Sequence, residues 1–334
     1  MSKEPDEIPG LSSDRLGELQ EAQTGGEGMF RVGQEGVRRI LKTRDEKVDF
    51  IAYRNRTLAF VHSQMGYPAI YPLPEATFEP PARAVLMDLD GTSVHSEHFW
   101  IWIIERTTAA LVGDDNFRLE PGDAPYVSGH SVSEHLQYCI NKYCPAKSIE
   151  EAREHYFDIT HREMERVLAG EGKVDSFVPA PGLKDFLLSM KENGVQIGLV
   201  TSGLHEKAWP EIVAAFRQMG LGDPRDFYDA IITAGHALRP GQPGTLGELE
   251  PKPHPWLYAE TASVGLGIRP SESHRVVGIE DSGAGVVSLR LAGFATIGVT
   301  GGNIEASGVR PLLHAYCDDL DEAKRVVLGT LPQE

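Results

Sequence analysis

The sequence predicts an α/β protein: a doubly wound parallel sheet, interrupted after its first strand by an all-helical insert and preceded by an N-terminal extension. Three observations carry this. Five short apolar runs, AVLMDL from Ala84, VQIGLV from Val195, AII from Ala230, VVGI from Val276 and ATIGV from Ala295, read as strands buried on both faces. Amphipathic segments lie between them, the alternation expected when crossover helices cover a parallel sheet. From Val94 to Pro179 the strand signal stops, and helical periodicity replaces it in HFWIWIIERTTAALV, VSEHLQYCINKY and SIEEAREHYFDITHREMERVL. The expected organisation is an extension over 1–82, a core from 83–93 and 180–334, and a helical insert over 94–179.

Taken in chain order, Met1 to about Gly28 holds Glu, Asp, Ser and Gly with scattered apolar residues, and is expected to be a flexible tail. VGQEGVRRILKTR, from Val32, suggests a short helix, and TLAFVHS and YPAIY suggest two strands flanking Met65-Gly66. The proline-rich YPLPEATFEPPAR that follows reads as an extended linker. Within the insert, the aromatic run FWIWII reads as its core. PGLKDFLLSMKENG is a crossover helix, with Pro181 suited to its first turn and Gly194 to its C-cap.

Composition narrows the function. At 334 residues and 41% hydrophobic, the chain has material for roughly two domains with buried cores. A formal charge of −17 repels a nucleic-acid backbone and an anionic membrane surface, so neither is an expected partner. Cys139, Cys144 and Cys317 are too few for a disulfide framework and match no CxxC spacing, and they read as reduced thiols. The first thirty residues lack the positive start and apolar stretch of a signal peptide, and no run approaches the ~18 apolar residues of a membrane span. The expected compartment is the cytoplasm.

Chemistry concentrates at strand ends. Asp88-Leu89-Asp90-Gly91-Thr92 closes the first apolar run, at the sheet edge where open parallel sheets bind ligands. Two carboxylates there are costly unless they hold a cation or react. Gly278-Ile279-Glu280-Asp281-Ser282-Gly283-Ala284-Gly285 repeats the pattern, with acids after an apolar run and a glycine-rich turn opening a helix. Carboxylates from two strand ends can converge on one Mg²⁺; Asp281 or Ser282 alone would also serve as an ordinary helix cap. Thr201-Ser202-Gly203, after VQIGLV, offers a hydroxyl and free amides of the kind a phosphoryl group needs. Lys252 sits in the stiff Pro251-Lys252-Pro253-His254-Pro255.

In this order the four stretches resemble the motifs of the haloacid dehalogenase superfamily, in its phosphatase and phosphomutase branch with a helical cap inserted after the first motif. DLDGT is similar to motif one, LVTSG to motif two, the Lys252 stretch to motif three and GIEDSGAG to motif four, and the resemblance covers about residues 83–320. It implies a Rossmann-like core, with Asp88 as nucleophile and Asp90 as general acid and base. Thr201 and Lys252 would hold the phosphoryl oxygens, with Ser202 and Gly203 beside them. The resemblance further implies Mg²⁺ held by Asp88, the Asp90 carbonyl and Asp281, with Glu280 supporting the site.

Motif four and the Lys252 loop are most similar to the β-phosphoglucomutase-like subgroup, but the insert departs from it. Trp100 stands where that mutase has a histidine, and Val132 where it has an arginine. Hydrolysis of a small phosphorylated metabolite is therefore favoured over phosphosugar mutation. Asp90 argues against a dehalogenase, and the absence of lysine from 94–125 argues against a Schiff-base phosphonate hydrolase. His95, His98, His130 and His135 fit no standard zinc spacing, while His130 and Ser131 are candidate substrate contacts. A non-catalytic binding protein on the same fold is a further alternative, with the extension as its interaction module. The resemblance gives no counterpart for the extension or for the 236–250 insertion.

Overall fold

The computed structural model describes residues 7–62, 68–127, 132–234 and 250–330. The described residues form two compact units. One draws on Met1–Ser93, Ala180–Leu204 and Arg225–Glu334; the other comprises Val94–Pro179 and His205–Pro224.

The first unit contains two sheets. Its N-terminal sheet has the order β1-β4-β5-β6-β7, from β1 (Gln20–Ala22), β4 (Arg39–Lys42), β5 (Val48–Ala52), β6 (Thr57–Val61) and β7 (Ala69–Pro72), all antiparallel. A short pair, β2 (Thr24–Gly25) with β3 (Phe30–Arg31), lies beside it in sequence. The two strands expected on either side of Met65-Gly66 are present as β6 and β7, whereas Met65 and Gly66 lie outside the described residues.

Two local expectations are corrected here. The helix expected in VGQEGVRRILKTR is instead strand β4, entered after Gly33 (φ 82°) and Gly36 (φ 83°), conformations a helix cannot contain. Ile40 pairs with Ile51 and Leu41 with Phe50, and these pairs face opposite sides of the sheet. Because both sides are covered, adjacent apolar residues are both buried and the alternation that marks a strand disappears. The expected flexible tail is, from residue 7 onward, packed: Ile8, Leu11, Leu16 and Leu19 are buried in one cluster with Leu73 and Leu312. Its apolar residues are sparse, but tertiary burial of four of them offsets the ordering entropy that composition suggested was unaffordable.

The six-stranded sheet is wholly parallel, in the order β12-β11-β8-β13-β14-β15. Its strands are β8 (Ala84–Asp88), β11 (Gln196–Leu204), β12 (Ala230–Ala234), β13 (Val276–Glu280), β14 (Ala295–Val299) and β15 (Ala315–Cys317). Each of the five apolar runs forms one of these strands, and every residue of β8, β13 and β14 is buried, as a sheet covered on both faces requires. From β8 the chain winds outward through β11 and β12, then returns to β8's other side for β13. The order therefore reverses at β8, and the crevice at its carboxyl end is the predicted ligand position.

Helix α4 (Leu183–Glu192) is the crossover from PGLKDFLLSMKENG. Pro181 lies just before it and Gly194 (φ 68°) just after its C-cap Asn193. Helices α6 (Trp256–Glu260), α7 (Gly283–Leu291), α8 (Ile304–Ser307) and α9 (Leu320–Leu328) complete this unit. One face of the N-terminal sheet, with Leu41, Phe50 and Val61, shares a buried cluster with Val286, Val287 and Leu291 of α7. The extension is thus part of the same core as the helix that begins at motif four. Phe50→Ala removes a fully buried ring from this cluster and is expected to lower unfolding free energy by ~3–5 kcal/mol. Urea unfolding measures it, and a loss below about 1 kcal/mol would show the extension to be energetically separate.

The second unit is built from α1 (Glu97–Val112), α2 (Val132–Tyr143), α3 (Ile149–Leu168) and α5 (His205–Met219), with a small strand pair, β9 (Val94–His95) and β10 (Val178–Pro179). Ser148 caps α3 by accepting from the Glu151 amide at 3.2 Å. Phe99, Ile103 and Ile104 of the aromatic run are buried, and Phe99 packs on Phe177 with ring centroids 4.6 Å apart. Among the described residues no helix is long and apolar enough to cross a membrane.

Candidate active site

Register brings the motif residues together. Parallel pairing sets Val200 beside Asp88 on one flank and Ile279 beside Met87 on the other, so Glu280 lies level with Asp88 and Thr201 one residue beyond it. The β11–β12 register shifts between Thr201 and Leu204, which takes Ser202 and Gly203 out of the regular ladder. After Asp88 the chain turns at Gly91 (φ 88°), and a side chain there would collide with the Asp281 carboxylate. That glycine lets the first and fourth motifs touch. Within motif four itself Gly285 is required on α7, where any Cβ would strike Glu280.

At the centre lies Lys252, whose side chain is only 7% exposed and whose Nζ bridges Asp88 Oδ1 and, at 2.6 Å, Glu280 Oε1. Its backbone amide donates to Ser202 Oγ at 3.1 Å, tying motif three to motif two. Asp88, Glu280 and Asp281 are all buried, with carboxylate oxygens within 4.8 Å of one another. Thr201, also buried, donates its hydroxyl to Asp90 Oδ2 at 3.0 Å and accepts from the Gly203 amide at 2.9 Å. Asp90 itself is exposed at the sheet edge. The predicted residues Asp88, Asp90, Thr201, Ser202, Gly203, Lys252, Glu280 and Asp281 thus meet at one place. His130 and Ser131 lie outside the described residues, as does most of the 236–250 insertion.

Supporting residues complete the cluster, and of these Tyr258 and Ser93 have no part in the sequence reading. The Tyr258 hydroxyl donates to Glu280 Oε1 at 2.6 Å, and its ring centroid lies 5.0 Å from Lys252 Nζ. Ser93 donates to the Asp88 carbonyl at 2.6 Å, and Thr92 to Asp281 Oδ1 at 3.4 Å. Ser282 caps α7 by accepting from the Gly285 amide, and its own hydroxyl donates to Glu280 Oε2 at 2.9 Å. Tyr258 carried no sequence signal, since PWLYAE reads as ordinary helix core.

The electrostatics follow from packing. Burial first, and the Glu280 charge second, raise Asp88 well above the usual carboxylate range, even though Lys252 pulls it down. The same two causes push Asp281 up to about 7. Burial disfavours the Lys252 ammonium, but the Asp88 and Glu280 carboxylates outweigh it and hold the lysine charged. Three buried acids against one ammonium leave an excess of negative charge that is costly without a further cation. Both Glu280 oxygens are already bonded to Lys252, Tyr258 and Ser282. Asp88 and Asp281 are therefore the acids with oxygens to offer, and an all-oxygen donor set of this kind fits a hard cation such as Mg²⁺.

Comparison with known proteins identifies the family. The family model of haloacid dehalogenase-like hydrolases matches residues 82–293, more than half of the chain, and the chain belongs to that family of hydrolytic enzymes. Solved structures of similar fold include a proposed β-phosphoglucomutase from Thermotoga maritima (19% identity, covering 75% of this chain and 100% of that one, TM-score 0.54). A predicted phosphoglycolate phosphatase from Haemophilus somnus matches at 17% identity, covering 74% and 98%, with TM-score 0.54. CbbY from Rhodobacter sphaeroides, solved with phosphate, matches at 21% identity, covering 72% and 96%, with TM-score 0.50. At these identities the likeness is one of fold.

Proposed function

We propose that this hydrolase is a Mg²⁺-dependent phosphomonoesterase acting on a small phosphorylated metabolite. The observation that carries the reading is Lys252 Nζ held between Asp88 and Glu280, with Asp281 alongside, at the crevice where the strand order reverses. Asp88 would attack phosphorus through a carboxylate oxygen while the ester oxygen leaves with a proton from Asp90, giving an aspartyl-phosphate and a free alcohol. Asp90 would then take a proton from water as that water attacks the same phosphorus, releasing inorganic phosphate and restoring Asp88. Lys252, the Thr201 hydroxyl and the amides near Ser202 and Gly203 would steady the phosphoryl oxygens, and Glu280 would position Lys252. Mg²⁺, held by Asp88, Asp281 and the Asp90 carbonyl, would supply further neutralisation of phosphoryl charge. Substrate choice is assigned to the helical segment 94–179, read as the family's cap. Phosphate release from a broad panel of phosphomonoesters, abolished by EDTA and restored by Mg²⁺, tests the reading; a panel without turnover overturns it.

The raised carboxyls make metal binding pH-dependent in a stated direction. Burial and the Glu280 charge push Asp281 up to about 7, so at lower pH a cation must displace a proton. The Mg²⁺ concentration for half-maximal activity is expected to rise as pH falls below that point, by up to about tenfold per pH unit for one proton displaced. The stability of the metal-free protein runs the other way: a carboxyl raised by folding contributes stability that is fully present below its unfolded value and is lost as pH rises through its folded value. The thermal stabilisation given by Mg²⁺ should therefore be larger at about pH 8 than at about pH 6. A half-saturating concentration that does not change with pH would remove Asp281 from the metal set.

A further inference from the structure

We propose that the N-terminal extension contributes to the active site through Tyr71, as a positioning residue for Lys252; the proposal rests on the phosphatase reading of that lysine. Tyr71 lies on β7, where pairing with Ala59 of β6 fixes it in the N-terminal sheet. Its hydroxyl is 2.9 Å from Nδ1 of His254, two residues beyond Lys252. Its ring stands edge-on to the His254 ring at 5.8 Å and to Trp256 at 6.0 Å between centroids. Burial lowers the His254 imidazole and raises the Tyr71 phenol, so a protonated hydroxyl faces a neutral ring able to accept from it.

The lysine loop is held at three points, and Tyr71 supplies one of them. Ser202 Oγ accepts from the Lys252 amide at 3.1 Å, and Ser288 Oγ of α7 donates to the His254 carbonyl at 2.6 Å. Those two contacts hold the backbone on either side of Pro253. Tyr71 holds the His254 side chain, which is buried, and with it the loop's rotation about its own axis. The ammonium lies at the far end of a flexible four-carbon stem, so a small rotation of the loop is carried to Nζ. Phosphoryl transfer depends on such positioning together with electrostatic stabilisation of the transferring group.

The test is Tyr71→Phe, which keeps the ring packed on His254 and Trp256 and removes only the hydroxyl. The expected result is a kcat about 3- to 10-fold lower and a similar weakening of inhibition by orthovanadate, the size of one lost hydrogen bond. The thermal midpoint should fall by no more than a few degrees, the size of the same lost hydrogen bond. In a Lys252→Met background Tyr71→Phe should add no further loss, whereas a general structural effect would add in full. Hydrogen exchange at the His254 amide, which donates to the Pro251 carbonyl at 3.1 Å, should quicken in Tyr71→Phe and needs no substrate to be read. Unchanged vanadate inhibition with unchanged exchange, or a full further loss in the Lys252→Met background, overturns the proposal. A wild-type chain that releases no phosphate overturns the functional reading instead, and the exchange measurement then decides the Tyr71 contact alone.

Discussion

Replacing Asp88 by Asn is expected to bring phosphate release down to the background of substrate alone while leaving the protein folded. The amide has the volume of the carboxylate but neither its charge nor its nucleophilicity. Loss of a catalytic group usually threatens the fold through buried partners left unpaired, yet here the opposite balance holds. Asp88, Glu280 and Asp281 are three buried acids sharing Lys252, and removing one relieves repulsion while Glu280 keeps the ammonium paired. Metal-free Asp88→Asn should therefore melt no lower than the metal-free wild type. Thermal unfolding in EDTA and phosphate release with Mg²⁺ give the two readings. Turnover within about tenfold of wild type would remove Asp88 as nucleophile, because positioned covalent and proton-transfer groups are worth more than that.

Asp90→Asn is expected to lower turnover of ordinary alkyl phosphates by about 10²–10⁴, the usual contribution of a positioned acid and base. Thr201 can still donate to the Asn oxygen as it donates to Asp90 Oδ2 at 3.0 Å, so local geometry should survive. A nitrophenolate leaving group needs little protonation, and its first step should suffer less. The second step, which requires a base for water, should then lag, and acid-quenched protein should carry phosphate on Asp88. The same measurement on wild type separates hydrolysis from phosphosugar mutation. A short-lived phosphoenzyme with no sugar bisphosphate is expected, whereas one that survives in water long enough to phosphorylate a sugar hydroxyl would overturn the phosphatase reading in favour of the mutase.

The parts of this molecule that could be read from sequence are those where ordinary burial rules are broken. Acids at the ends of wholly apolar strands, as at Asp88 and Glu280–Asp281, contradict their surroundings and so announce a site, and the apolar runs themselves are long enough to register as strands. Tyr258, Ser93 and Thr92 obey the rules, because a buried tyrosine or hydroxyl looks the same in sequence whether its partner is a catalytic carboxylate or a carbonyl in the core. Strand β15, Ala315–Cys317, is only half-buried at Ala315 and Tyr316 and lies between His314 and Asp318, so no apolar run marks it. The extension hides its strand at Ile40 and Leu41 for a different reason: a sheet covered on both faces buries consecutive residues and erases the alternation on which strand assignment depends. Tyr71 was readable as a strand residue but not as a neighbour of His254, since the sequence does not reveal contacts between positions 183 residues apart.

The packing of the extension against α7 also has a meaning in time. Arg290, at the end of that helix, donates to the carbonyl of Gly10, a contact spanning 280 residues. A ribosome adding about 5–20 residues per second takes roughly 15 to 55 seconds to cover that distance. For the part of this interval after β7 has been made, the strands bearing Phe50 and Val61 lack the helix that covers them. A segment synthesised early is thus enclosed late, and until then its apolar face is open to chaperones or other chains.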